Sequence, residues 1–100
     1  MRAVENFTYI IEKTFKPLPI FTFLQEKSGM SDREMYGTFN MGAGFAVYVA
    51  PRDVKAVLDI AKKNKIKAMD AGYVKKAKGG KKISILPLDI EFDGSSLAVR

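Results

Sequence analysis

Apolar and polar positions change period several times along this chain, and each change marks an element. The stretch NFTYIIEKTF alternates weakly and carries β-branched and aromatic residues, which predicts a strand over residues 7–12. Pro17 and Pro19 then break the pattern. Pro19 suits the first turn of a helix, where a backbone N–H has no partner to lose. That helix runs through IFTFLQEKS, with Ile20, Phe23 and Leu24 on one face at i, i+3, i+4 spacing, and Gly29 stands where a helix stops. Ser31 followed by Glu34 is a capping box, so a second, short helix starts there. Asp32 adds negative charge to its first turn, where the helix dipole favours it, and Gly37 is expected to end it.

The segment TFNMGAG has no clean period. FAVYVA, residues 45–50, is an almost continuous apolar run, which predicts a strand buried on both faces and stopped by Pro51. PRDVKAVLDIAKKNK is the clearest helix: Val54, Val57, Leu58 and Ala61 fall on one face, with Lys55, Asp59, Lys62 and Lys63 away from it. IKAMDAGYV reads as a strand containing Gly72, KKAKGGKK as a turn around Gly79 and Gly80, and ISILPLDIEF as one strand or two. DGSS is a further tight turn, and LAVR ends the chain. The sum is an α+β fold, a mixed or antiparallel sheet covered by helices; element order alone leaves the topology open.

Length and composition narrow this. One hundred residues make a single domain, 1–100, with a modest core, and 47% apolar with 28% charged residues are globular values. No apolar run reaches the ~18 residues of a membrane span. The opening MRAVENFTYIIEK lacks the layout of a signal peptide, and there is no cysteine, so a cytoplasmic location is expected. There is no histidine either, which removes the commonest general base and the commonest metal ligand; no catalytic residue and no metal ligand is assigned.

The net charge of +6 is uneven. Lys62, Lys63, Lys65, Lys67, Lys75, Lys76, Lys78, Lys81 and Lys82 crowd the stretch 62–82. These are lysines, with only Tyr73 as an aromatic ring among them, whereas single-strand binders interleave several rings. A solvated helix face followed by a lysine-rich hairpin accounts for them better than nucleic acid, which is not expected as a partner. A hairpin that touches an anionic substrate or partner remains open.

MYGTFNMGAGF, residues 35–45, is the most unusual stretch, with Gly37, Gly42 and Gly44 set among Phe39, Met41 and Phe45. Two readings stand. Glycines beside a strand mark a bulge or close backbone approach, with the large residues as core. Alternatively, a bare backbone comes near a ligand, with Thr38 and Asn40 adding a hydroxyl and an amide. The spacing matches neither the P-loop nor the dinucleotide fingerprint.

The same residues carry a resemblance. FLQEKSGMSDREMYGTFNMGAGFAVYVAPRDVKAVLDIAKK is similar to the second half of the C-terminal domain of aminoimidazole ribonucleotide (AIR) synthetase, the phosphoribosylformylglycinamidine cyclo-ligase family. Helix, E-M-Y-x-T-F-N-M-G-x-G, apolar strand, proline and amphipathic helix occur in the family's order over roughly residues 7–74. The resemblance implies ATP- and Mg²⁺-dependent ring closure of formylglycinamidine ribonucleotide to aminoimidazole ribonucleotide in purine biosynthesis, by dimers of two-domain chains. It places Thr38, Asn40, Met41, Gly42 and Gly44 as substrate-binding residues at a cleft, beside Phe39.

Complete members of that family are several times longer, and their ATP-binding domain and the first half of their C-terminal domain have no counterpart here. Asp32, Glu34, Asp53, Asp59 and Asp70 read as caps and solvated faces, so no cofactor is expected on this chain itself. It is expected either to be a fragment or small subunit working with a separate chain that carries the ATP-binding domain, or to be a stand-alone relative. The stand-alone relative would bind a nucleotide-like anion or serve as a dimerisation module. Exposed apolar surface is expected to lead to self-association or to a partner chain, and the isolated chain is expected to be inactive.

Overall fold

Strand β1 (Phe7–Ile11) is one of two inner strands of a four-stranded sheet. In the computed structural model, which describes residues 4–95, it is followed by α1 (Pro19–Ser28), α2 (Asp32–Thr38) and α3 (Val54–Lys63). Then come β2 (Gly72–Lys76), β3 (Lys82–Ile85) and β4 (Ile90–Asp93). Short 3₁₀ turns at Pro51–Asp53 and Leu86–Leu88 lead into α3 and β4. The fold is α+β, with a mixed sheet in the order β2-β1-β3-β4: β1 runs antiparallel to β2 and parallel to β3, and β3 is antiparallel to β4.

The register sorts the strand residues onto two faces, because side chains alternate. Val74, Tyr9, Ile83 and Phe92 share one row, and Gly72, Ile11, Ile85 and Ile90 the next. The opposite face carries Lys75, Thr8, Lys82 and Asp93, then Tyr73, Ile10, Ser84 and Glu91. The core lies on the first face: Ile85, Ile90 and Phe92 are buried, with Ile11, Tyr36, Ile83 and Leu88 packed against them. On the polar face Ser84 is buried and donates to Glu91 at 3.3 Å, and Glu91 also pairs with Lys82 at 3.3 Å.

Helix α2 closes one end of this core. Its Met35 is fully buried, and its Arg33 guanidinium lies 4.5 Å from the centre of the Phe92 ring and donates to the Glu91 carbonyl. The capping box is present as expected: Ser31 Oγ accepts from the Glu34 N–H at 3.2 Å, and the Glu34 carboxylate accepts from the Ser31 N–H at 2.8 Å. Gly29 ends α1 at φ 70, and α2 runs one residue past Gly37. The predicted inner face of α3 also holds: Val54, Val57, Leu58 and Ala61 are half-buried and the rest of the helix is exposed. The predicted return of ISILPLDIEF is two strands, β3 and β4, and in the DGSS turn Ser95 N–H donates to Asp93 Oδ1 at 2.9 Å. LAVR lies outside the described residues.

Four expectations are corrected. The lysine-rich segment is not a hairpin, because β1 lies between β2 and β3. Residues 77–81 step over the end of β1, a span of about 10 Å that ~16 Å of chain covers, and the Ala77 N–H donates to Asn6 O at 3.0 Å on the way. The apolar β1 suits an inner position, and the lysines of β2 suit an edge. Residues 45–50 form no strand: Phe45 is 89% exposed and Tyr48 66% exposed. Their apolarity called for burial, but burial needs a facing strand, and among the described residues no backbone group bonds to residues 44–49. On α1 the inward residues are Phe21, Leu24 and Gln25, with the Phe21 and Phe39 rings 6.0 Å apart, while Ile20 and Phe23 are exposed. Phe39 pulls the helix round by offering Phe21 a ring to pack on. The strand predicted across IKAMDAGYV begins only at Gly72; just before it, the Ala71 carbonyl accepts from both Glu12 N–H (2.7 Å) and Lys13 N–H (3.1 Å), which ends the regular ladder.

Gly72 has no room for a side chain. Its φ is 156°, and a Cβ there would lie 1.9 Å from the Ile10 carbonyl oxygen. Gly72→Ala is expected to lower stability by about 2–4 kcal/mol in urea unfolding; an unchanged midpoint would mean that β1 and β2 do not approach as described. Arg33→Met keeps the stem but removes both the cation over Phe92 and the donor to Glu91. It is expected to lose about 1–2 kcal/mol in the same measurement.

Candidate functional site

The glycine-rich stretch begins inside α2, which holds its first four residues, Met35 to Thr38. The Phe39 N–H donates to Met35 O at 2.8 Å and closes the helix. The chain then reverses in a turn over 40–43, with the Ala43 N–H donating to Asn40 O at 3.0 Å. Both central residues are left-handed, Met41 at φ 52 and Gly42 at φ 98, as in the mirror-image turns. The Asn40 side chain braces the turn, its Oδ1 accepting from the Gly42 N–H at 2.9 Å. A left-handed methionine is unusual. Here the side chain is only 5% exposed, so burial holds the residue in place.

The five expected site residues sit close in sequence but do not share one surface. Asn40 and Met41 line a cavity, while Thr38, Gly42 and Gly44 are exposed outside its lining. Met41 turns its side chain inward, which leaves only its backbone for a ligand. Only the oxygen of the Asn40 amide can accept from the Gly42 N–H, so Nδ2 is left as a donor. Among the described residues, nothing in the chain accepts from Asn40 Nδ2, from the Thr38 hydroxyl, or, within the backbone, from the Gly44 N–H. The stretch therefore presents donors on a braced turn.

The cavity measures about 520 Å³ and lies between the apolar face of the sheet, the segment 45–49 and α3. Its walls include Tyr9, Ile11, Ile83 and Phe92 from the sheet, facing Val57 and Leu58 of α3. Lys13 is the only cation and Asp70 the only carboxylate in the lining. The Tyr9 and Tyr48 rings meet edge to face at 5.6 Å. The Tyr48 phenol is pushed above its ordinary value, first by desolvation against its neighbours and second by Tyr9, although the residue as a whole stays largely exposed. The cavity was not legible in the sequence; the one signal for it is Tyr48, a polar-tipped ring inside an otherwise aliphatic run.

The resemblance implies Mg²⁺ and ATP. Among the described residues no group of three or more Asp or Glu side chains gathers, and no step is assigned through a metal or nucleotide here.

Gly42 and Gly44 respond differently to a side chain. At Gly42 a Cβ would meet only Leu18 Cγ at 3.8 Å, but the left-handed φ penalises any L residue; at Gly44 nothing lies within 4 Å. Gly42→Ala is expected to lose about 1–2 kcal/mol, and Gly44→Ala to stay within about 0.5 kcal/mol of the parent. Thermal unfolding of the two variants distinguishes them, and equal effects would contradict the turn geometry.

A family model described as AIR synthase related protein, C-terminal domain, matches residues 4–84. The phosphoribosylformylglycinamidine cyclo-ligase of Methanocaldococcus jannaschii is 42% identical over 73 residues, covering 73% of this chain and 21% of that protein. The protein of the same name from Caldicellulosiruptor saccharolyticus is 38% identical over 77 residues, 76% of this chain and 23% of its own length. That of Oceanobacillus iheyensis is 42% identical over 71 residues, with 70% and 21% covered. The chain thus spans about a fifth of the length of the curated relatives it matches. No solved structure matches it. The family match takes in β1, the capped helix α2, the braced glycine turn, the apolar run and α3 together, and the chain belongs to the AIR synthase-related family, through the C-terminal domain of its members.

Proposed function

We propose that this chain supplies a substrate-positioning loop for phosphoribosylformylglycinamidine cyclo-ligase chemistry and works beside a separate chain that carries the ATP site. The observation behind this is the turn over 40–43. Asn40 Oδ1 is tied to the Gly42 N–H, which leaves Nδ2 as a donor, with the Thr38 hydroxyl and the Gly44 N–H within four residues of it along the chain. Donors of this kind suit the phosphate oxygens of a ribonucleotide or a carbonyl oxygen beside its amidine. The net charge of +6 favours the approach of such an anion.

The part played by these residues is to bind and orient. Holding a substrate in reactive geometry contributes to rate without a base, and no base is asked of this chain. On this proposal it acts in purine biosynthesis in the cytoplasm and is inactive alone. The helices carry no membrane span among the described residues.

Thermal unfolding with formylglycinamidine ribonucleotide tests the proposal, with Asn40→Ala as control. At about 100 times the dissociation constant, binding stabilises the fold by about 2.7 kcal/mol, a shift of several degrees. The parent is expected to shift and Asn40→Ala to shift much less. A parent that does not move, or a variant that moves as far, overturns the proposal.

A further inference from the structure

Met41 stands where the backbone of the turn over 40–43 is least natural for its side chain. Its φ of 52 is left-handed, a region that a residue with no polar group to bond its own backbone rarely takes. With glycine next in the chain, the ordinary choice is a type II turn, which keeps the second central residue at positive φ and sets the first at about −60°. Gly42, at φ 98, suits either turn, so the choice is made at Met41 alone. The side chain shows what makes it. Met41 is 5% exposed and lines the cavity beside the sheet. Reversing the sign of its φ would swing Cβ to the other side of the turn, and the side chain would leave the cavity for water. Phe39, just before the turn, is pinned separately, its ring 6.0 Å from that of Phe21.

The consequence falls on Asn40. Its Oδ1 accepts from the Gly42 N–H at 2.9 Å, and both backbone dihedrals of Met41 lie between those two groups. A change in them moves donor against acceptor and releases the amide to rotate. We infer that Met41 is a positioning residue: its buried side chain holds the turn in the left-handed form that keeps the Asn40 amide braced, with Nδ2 left as a donor. The inference rests on the proposal that this turn binds a ribonucleotide, and it deepens that proposal. Met41 acts on the ligand only through Asn40, and its thioether chain needs no contact with substrate.

Three variants of the whole chain separate the anchor from the turn that it maintains. Met41→Ala removes the anchor and leaves nothing that favours a left-handed φ. Met41→Asn removes the anchor too, but Asn followed by Gly favours this turn by itself. Met41→Leu keeps an apolar side chain of similar volume. Hydrogen exchange followed by NMR reads the protection of the Gly42 amide with no ligand present. The Phe39 amide, which donates to Met35 O at 2.8 Å, is the control for folding. Sucrose in every sample supports Met41→Ala where burial alone would not. Gly42 protection is expected to fall several-fold in Met41→Ala. It should stay near the parent value in Met41→Leu and Met41→Asn, although Met41→Asn unfolds at a lower temperature. Affinity for formylglycinamidine ribonucleotide should follow, about tenfold weaker in Met41→Ala and within about twofold of the parent in the other two. Once Asn40 is replaced by Ala, Met41→Ala should weaken binding no further. Unchanged Gly42 protection in Met41→Ala would overturn the inference. So would a Met41→Asn that loses protection as fully as Met41→Ala, or additive losses in the double variant. A parent chain that binds no ribonucleotide would sink the functional proposal, and the ligand-free amides would still decide whether Met41 sets the turn.

Discussion

Helix α2 is seven residues long, too short to persist in water without tertiary support, and the loop that follows can be no better placed than the helix. Two contacts provide that support. Met35 is withdrawn from water completely, and Arg33 lays its guanidinium over Phe92 while donating to the Glu91 carbonyl. Phe92 is itself one of the three residues at the centre of the core. The sheet, the helix and the turn over 40–43 are thus joined in one line: Phe92 fixes Arg33, α2 fixes Phe39, and Met41 buries its side chain on the far side of the turn. Loosening β4 would therefore be felt at Asn40, although no contact joins the two directly.

The rest of the molecule is held more weakly. The radius of gyration is 14.7 Å, larger than the roughly 13 Å usual for this length. The reason is visible in the elements. Helix α3 has a well-formed apolar stripe, but among the described residues none of its side chains is fully buried, and the run 45–50 lies exposed beside it. Apolar side chains are stabilised in proportion to the surface they remove from water, and here much of that surface stays wet.

Two chemistries are therefore kept apart. The turn leaves the Asn40 amide nitrogen and the Thr38 hydroxyl without an acceptor among the described residues; the cavity is lined mostly by aliphatic and aromatic side chains. They meet at Asn40 and Met41, which belong to both. Anything seated in the cavity would pack against the buried Met41 and so stiffen the turn that Asn40 braces.

The amino-acid sequence by itself determined what is settled within one helical turn or one tight bend. Ser31 and Glu34 cap α2 because their partners are three residues apart, Gly29 stops α1 because only glycine takes φ 70 cheaply, and Val54, Val57, Leu58 and Ala61 share a face because 3.6 residues make a turn. The glycine cluster and its flanking Thr38 and Asn40 marked a candidate loop, and the likeness to a family marked which family. Tertiary structure decided everything that depends on what lies opposite. The insertion of β1 between β2 and β3 removed the expected hairpin, the lack of a facing strand left 45–50 exposed, and Phe39 chose Phe21 over Ile20 and Phe23. The inward turn of Met41 and the cavity beside it belong to the same class. Apolar spacing states that a residue should be buried; only the surface across from it decides whether, and against what, it is.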